Sequence, residues 1–264
     1  MKIDNTIAAV VTGGSSGLGK ATVQALAAAG VKVAIFDINE DVGEALAKEV
    51  GGVFCNVNIM DEDSVEAGFA KARAANGQER LVVHCAMVAG GGKTVGWDKE
   101  NNCYKRANTE GFAKSMEGIA VASFRVASIA ALGMANSAPL NEDGERGCII
   151  LTSSVASQDG QMGQVAYGGG KGAVNAMVLP MARDLMDVGV RVNAILPGTF
   201  ATPPMLGVKA KAPAIYENLE KAVPFPKRLG HPDEFASMAL EIARNVYLNA
   251  QLIRLDGGIR FQPK

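Results

Sequence analysis

The stretch IAAVVTGGSSGLGKATVQALAAAG, residues 7–30, decides how the rest of the chain is read. Its first six residues form a short run without polar alternation, the mark of a strand covered on both faces. Its last dozen repeat apolar residues at helical spacing. Between them lie Gly13, Ser15, Ser16, Gly17, Leu18 and Gly19. Glycines there let the backbone turn sharply and approach a pyrophosphate, while the helix that follows offers free N–H donors and the positive end of its dipole. A bare glycine pattern is weak, but one set between a strand and a helix is specific. The segment predicts a dinucleotide-binding turn.

The next apolar run, VKVAIFD, ends at Asp37, 18 residues beyond Gly19. A carboxylate there accepts hydrogen bonds from an adenosine ribose and repels a 2′-phosphate. No arginine adjoins it, so the expected cofactor is NAD rather than NADP. Further runs of strand length follow: GVFCNV, LVVHCA, CIILTS, RVNAIL and QLIRLD. Amphipathic segments alternate with them, including one long helix expected over 104–134. This rhythm predicts an α/β Rossmann fold: a doubly wound parallel sheet of about seven strands with helices on both faces. With no repeat, linker or low-complexity segment, residues 1–264 read as a single domain. Two segments depart from the rhythm, the glycine-rich 87–102 and the stretch 199–230, which carries five of the ten prolines. Both leave the carboxyl ends of strands, where open parallel sheets bind ligands, and are expected to be substrate loops.

Composition narrows the function. A net charge of −1, with dispersed lysines and arginines, argues against nucleic acid and membrane surfaces as partners. Four separated cysteines and the lack of a leader-like start fit reduced thiols in a cytoplasmic protein. No uninterrupted apolar run reaches the length of a membrane span. Two histidines, His84 and His231, leave almost nothing for a Ser-His-Asp triad or a zinc site, so no metal is expected and both read as structural.

The segment AYGGGKGAV, residues 166–174, opens another helix with three consecutive glycines. Each costs roughly 1 kcal/mol relative to alanine, about 3 kcal/mol in one place. They separate Tyr167 from Lys171, which lie four apart and so share a helix face. A free tyrosine titrates near 10 and is a poor base at neutral pH. A cation about 4 Å from the phenolate contributes roughly 4 kcal/mol at an effective dielectric near 20, enough to bring the phenol toward neutrality.

Taken together, Thr12-Gly13-x3-Gly17-Leu18-Gly19, Asn108, Ser154, Tyr167-x3-Lys171 and Pro197-Gly198 resemble the short-chain dehydrogenase/reductase family over essentially the whole chain. GQMGQVAY, LPMARDL, VPFPKRLGHPDEFA and LIRLDGGIRFQP make it most similar to the type-2 3-hydroxyacyl-CoA dehydrogenases. The resemblance implies that Tyr167 is the general acid/base and that Ser154 hydrogen-bonds the same substrate oxygen. It implies that Lys171 binds the nicotinamide ribose and lowers the tyrosine's pKa. Asn108 is expected in a mid-helix distortion, holding a water that links Lys171 to solvent. Pro197, Gly198, Thr199 and Thr202 are expected beside the nicotinamide, Ala86 against the cofactor, and Asn58 at the adenine. The chain departs from the family's Asn-Ala-Gly at Cys85-Ala86-Met87, where Met87 is expected either to crowd the nicotinamide side or to reshape the pocket, and Cys85 to be structural.

The resulting expectation is an NAD-dependent oxidoreductase interconverting a secondary alcohol and a ketone, assembled as a homo-oligomer, a tetramer by resemblance. Phe200, Met205, Leu206, Ile215 and Phe225 are expected to line a hydrophobic substrate site. The leading substrate is a 3-hydroxyacyl-CoA, followed by aromatic or aliphatic secondary alcohols and then hydroxysteroids. From another class, a nucleotide-binding scaffold without useful catalysis remains open.

Overall fold

A computed structural model describes residues 1–263. The first half alternates as expected: β1 (Ala8–Thr12), α1 (Gly17–Ala28), β2 (Lys32–Asp37), α2 (Glu40–Val50), β3 (Val53–Asn56), α3 (Glu62–Asn76) and β4 (Glu79–His84). Helix starts carry their own caps, with Asn39 Oδ1 accepting Val42 N–H and Asp61 Oδ1 accepting Ser64 N–H. A hairpin of β5 (Val95–Asp98) and β6 (Cys103–Arg106) then stands apart from the main sheet.

Helix α4 (Thr109–Met116) runs through a π turn (Glu117–Val121) into α5 (Ala122–Ala135). The chain continues through β7 (Gly147–Thr152), α6 (Val165–Asp184), β8 (Val190–Pro197), α7 (Pro203–Lys211), α8 (Pro213–Ala222), α9 (Pro232–Arg244) and β9 (Leu252–Leu255).

The seven main strands are parallel in the order β3-β2-β1-β4-β7-β8-β9. From β1 the chain winds outward to β3, then returns to place β4 on the other side. The crevice at this reversal, above the carboxyl ends of β1 and β4, is where such sheets bind ligands. Alternate residues feed two cores. Val10, Val82, Ile149 and Val192 meet α3, α5 and α6, while Val11, Val83, Ile150 and Ile195 meet α1 and α9. That two-sided burial is why the strands read as unbroken apolar runs.

The long helix differs from expectation in its start. Residues 103–106 belong to the hairpin, where Trp97 and Tyr104 pair across the strands with ring centroids 5.1 Å apart. The stretch Thr109–Ala135 is long and apolar enough, by length and composition, to cross a membrane, but 56 % of its most apolar window is buried inside the fold. The stretch 199–230 is largely helical, since prolines at the first positions of α7 and α8 start both helices.

Candidate active site

The turn after β1 is built by missing side chains. Gly13 has a φ of 63°, and a Cβ there would sit 2.9 Å from the Ala86 nitrogen. Gly17 also lies in the left-handed region, at 52°. Asp37, at the end of β2, accepts the Ser15 N–H on Oδ2 at 3.0 Å and so fixes the turn. Ser15 Oγ is buried without a hydrogen-bond partner, and Ser16 caps α1 without a side-chain bond. A buried hydroxyl and uncapped helix N–H groups beside a cradle that any Cβ would fill are the donor set a pyrophosphate requires. These residues fit a dinucleotide.

Opposite them, Thr12 Oγ1 accepts the N–H groups of Cys85 and Ala86, both at 3.1 Å. With its acceptor sites used, the hydroxyl donates to His84 Nδ1 at 2.8 Å, which places the imidazole proton on Nε2. Burial, and then the positive charge of Lys171, push His84 down to about 3. Burial pushes the Cys85 thiol up to about 11, and Thr152 Oγ1 lies 3.5 Å from its sulfur. The thiol stays protonated at neutral pH, at the edge of the cleft.

Ser154 follows β7 and caps a short turn, its Oγ accepting Ala156 N–H at 3.1 Å. Tyr167 and Lys171 project from the first turns of α6. Burial raises the Tyr167 phenol, and its bond with the Ser154 side chain draws it back. Lys171 Nζ donates to the Thr152 carbonyl at 2.5 Å, and burial lowers the ammonium to about 8. The expected depression of Tyr167 by Lys171 is therefore not a feature of this structure. The ammonium is turned to the Thr152 carbonyl instead.

One cleft of about 710 Å³ brings together Gly13, Ser16, Gly17, Leu18, Gly19, Asp37, Asn58, Ala86, Ser154, Tyr167, Lys171, Pro197, Gly198, Thr199 and Thr202. Ser15 lies buried behind it, outside the lining. Asn58 Oδ1 already accepts Met60 N–H at 3.1 Å, leaving one lone pair for an adenine.

Asn108 is a correction. It is exposed and caps α4, accepting Glu110 N–H at 2.8 Å, so it lies outside the helix distortion and the cleft. The hairpin consumes the residues that were assigned to the helix, which puts Asn108 at its start. The distortion itself falls at Glu117–Val121 and buries Gly118, Ile119 and Ala120.

The comparisons agree with this geometry. A family model described as enoyl-(acyl carrier protein) reductase matches residues 13–260. The 3-hydroxyacyl-CoA dehydrogenase type-2 of Homo sapiens is 38 % identical over 97 % of this chain and 96 % of that protein. The chain belongs to the short-chain dehydrogenase/reductase family. As a member it is an oxidoreductase acting on CH–OH groups. A crystal structure of 3-hydroxyacyl-CoA dehydrogenase type-2 from Mycobacterium avium superposes with a TM-score of 0.89 at 38 % identity, covering all of both chains. A 7α-hydroxysteroid dehydrogenase complexed with NADH and 7-oxo glycochenodeoxycholic acid reaches 0.85 at 25 % identity, covering all of this chain and 97 % of that one. A nicotinamide cofactor follows for this family member.

The substrate side of this dehydrogenase differs in part from the sequence reading. Met205 lines the cleft, and Phe200 borders it while packing into the core against Phe235. Leu206, Ile215 and Phe225 are instead exposed and outside it. Met87 lines the cleft as expected, joined by Val88, Leu219 and Phe261. Phe261 arrives from the segment after β9, which Met162 and Gln161 hold by bonds to the Pro263 and Gln262 carbonyls. No local pattern announces such a contact.

Two of the three consecutive glycines also find their reasons here. A Cβ on Gly168 would sit 2.9 Å from the Ala156 carbonyl, and one on Gly170 at 2.9 Å from Ile119 Cδ1.

His84 makes stability pH-dependent. Its imidazole is neutral in the fold, with a value of about 3 against 6.5 when unfolded. The unfolded chain therefore binds the extra proton between those values. The stabilisation is complete above pH 6.5 and is lost as pH falls toward 3. Between pH 7 and pH 5 this amounts to about 2 kcal/mol. Urea unfolding of His84→Asn at the two pH values is expected to show an acid loss smaller by that amount. Equal losses in both proteins would show that His84 is not held neutral.

Proposed function

We propose that this protein is an NAD-dependent dehydrogenase interconverting a secondary alcohol and a ketone, with a 3-hydroxyacyl-CoA as its leading substrate. The observation that carries the reading is the convergence of Ser154, Tyr167 and Lys171 in the cleft that also holds the glycine turn and Asp37. Gly13, Ser16, Gly17, Leu18 and Gly19 would hold the pyrophosphate, with Ser15 bracing the turn from behind, Asp37 would hold the adenosine ribose, and Asn58 and Ala86 the adenine side and the β4 exit. Pro197, Gly198, Thr199 and Thr202, which line the same cleft, would border the nicotinamide. When bound, that ring supplies the hydride acceptor in one direction and the hydride donor in the other.

The proton is handled by the chain. A phenol raised by burial is protonated across the neutral range, the state needed to donate to a ketone oxygen during reduction. Ser154 Oγ hydrogen-bonds the same oxygen and holds it at Tyr167 Oη. Alcohol oxidation needs the phenolate, which the positive charge of Lys171 favours once its Nζ faces the site. An ammonium lowered to about 8 still carries that charge at neutral pH.

The relatives' names support an acyl-CoA, and Met87, Val88, Met205, Leu219 and Phe261 suit an apolar acyl chain. A second reading, a small aromatic or aliphatic secondary alcohol or a hydroxysteroid, has its own support. Among the described residues, Lys171 is the only cation lining the cleft, so nothing inside it pairs with the phosphates of CoA. A homo-oligomer is supported by exposed Phe112, Val121, Phe124, Val165 and Leu179 on α4, the π turn, α5 and α6, and a tetramer is what the resemblance implies.

Four experiments test these statements. Tyr167→Phe should lower turnover by about 10²–10⁴-fold while NADH still binds; surviving turnover removes the acid/base assignment. A panel followed at the NADH absorbance separates the substrates, and turnover of simple ketones without acetoacetyl-CoA reverses their ranking. Asp37→Ala should narrow the preference for NAD over NADP, and unchanged discrimination refutes the ribose contact. Sedimentation at assay concentration should find an oligomer; an active monomer contradicts the assembly.

A further inference from the structure

Ser154 opens a turn of three residues with 3₁₀ geometry, Val155–Ser157. Such turns have poor hydrogen-bond geometry and little stability of their own. Ser154 Oγ accepts the Ala156 N–H at 3.1 Å, which leaves its single proton free for Tyr167 or a substrate oxygen. Where that oxygen sits therefore depends on what holds the turn.

On the near side, Ser153 Oγ donates to the Lys171 carbonyl at 3.0 Å, and Lys171 Nζ donates to the Thr152 carbonyl. On the far side, Ser157 Oγ donates to the Ser154 carbonyl at 2.6 Å, beside the Ser157 N–H on the same oxygen at 3.1 Å. A hydroxyl has one proton, so toward Asn175 the Ser157 oxygen is an acceptor and the amide has to present its NH₂ group. Asn175 Nδ2 does so at 2.7 Å. Asn175 Oδ1 is meanwhile buried without a partner. An orphaned buried acceptor calls for a reason, and the bond made by the other end of the same amide supplies one.

We propose that Ser157 and Asn175 are positioning residues for Ser154, a relay of side-chain hydrogen bonds that fixes its hydroxyl against Tyr167. Asn175 lies on α6 eight residues after Tyr167, about two turns along the same helix. The relay thus ties the serine's carbonyl to the helix that carries the phenol. Bare Gly168 lets that helix come near enough, since a Cβ there would sit 2.9 Å from the Ala156 carbonyl. Neither Ser157 nor Asn175 lines the cleft, so both act through Ser154. The proposal rests on the roles assigned above to Ser154 and Tyr167.

The Tyr167 phenol reports the relay. Burial raises it, and its bond with the Ser154 side chain draws it back. Among the described residues, Asp37 and Lys171 are the only charged ones lining the cleft; Asp37 holds the Ser15 N–H and Lys171 is turned to the Thr152 carbonyl. His84 and Cys85, at the end of β4, are uncharged at neutral pH. Asp159, just past the turn, is engaged by Arg254 at 2.7 Å. A Ser154 hydroxyl that drifts leaves burial unopposed, so the phenol rises further. Alcohol oxidation, which needs the phenolate, then moves to higher pH.

Ser157→Ala removes both side-chain bonds. Amide exchange followed by NMR in the cofactor-free protein should show the Ala156 N–H exchanging about tenfold faster or more, with the β7 amides of residues 149–151 unchanged. In turnover, kcat should fall about tenfold with little change in KM. The rise of alcohol oxidation with pH should move up by about half a unit or more. Ser157→Thr keeps the hydroxyl and should restore all three. Should Ser157→Ala not fold, Asn175→Ala breaks the relay from its other end and carries the same expectation. Because the two residues act in series, the double variant should lose no more than Ser157→Ala alone. Unchanged Ala156 exchange, a rise shared by the β7 amides, an unmoved pH profile or additive losses overturns the proposal. The exchange measurement needs no substrate, so failure of the functional reading is told apart from failure of this one.

Discussion

The Thr12 hydroxyl, where β1 and β4 part, accepts the Cys85 and Ala86 N–H groups and donates to His84 Nδ1. Ladder hydrogen bonds hold two parallel strands together only as far as the strands run, and Thr12 and His84 are the last residues of theirs. Beyond that point the separation of the two exits has to be set by something else. Here it is one hydroxyl group, with Gly13 providing the clearance that lets the Ala86 backbone come close. An isosteric valine would leave the half-buried Ala86 N–H unpaired, at about 1–3 kcal/mol, while the Cys85 N–H keeps its bond to the Thr12 carbonyl at 3.1 Å. The crevice, its glycine cradle and the place of Met87 all follow from this junction.

The same junction governs charge. His84 is neutral because it is buried and faces the Lys171 charge, and Cys85 is neutral because it is buried. The Tyr167 phenol is raised for the same reason. Lys171 is thus a lone positive group at the inner end of the cleft, without a carboxylate to spend its field on. A site of that kind favours negative charge appearing on an oxygen nearby, since water and counter-charge are both kept away. It does so at a cost carried by the lysine itself, whose ammonium is less stable than in water.

Features legible in the sequence are those fixed locally. Burial on both faces writes strands as continuous apolar runs, so RVNAIL, residues 191–196, lies within one residue of β8 at each end. The glycine turn and the Tyr167–Lys171 spacing were readable because each depends on a few adjacent dihedrals. Asn108 was misplaced because CYKR pairs as a strand only when the partner VGWD folds back on it, which periodicity does not reveal. The resemblance implies a mid-helix distortion, but its place at Glu117–Val121 is not legible, since a π turn adds one residue to a helix without changing its composition. Leu206, Ile215 and Phe225 were chosen for being apolar, yet α7, α8 and the following loop turn them outward. Phe261 reaches the cleft through contacts about a hundred residues apart in the chain, between Gln161 and Gln262.

The glycine row joins these levels. Gly168 and Gly170 are explained within the protomer, by the Ala156 carbonyl and by Ile119. Gly169 is not: it is exposed, and the nearest atom to an added Cβ is Phe112 Cε2 at 4.0 Å. Its helix-destabilising cost, about 1 kcal/mol, has no compensation in a lone chain. Gly169 shares its face with exposed Val165 four residues earlier and with exposed Ala176 seven later. Small residues flanked by apolar ones give a helix surface that another helix can approach closely. The proposed second copy of the chain would supply that helix, turning a local weakness beside the acid/base pair into close packing between subunits.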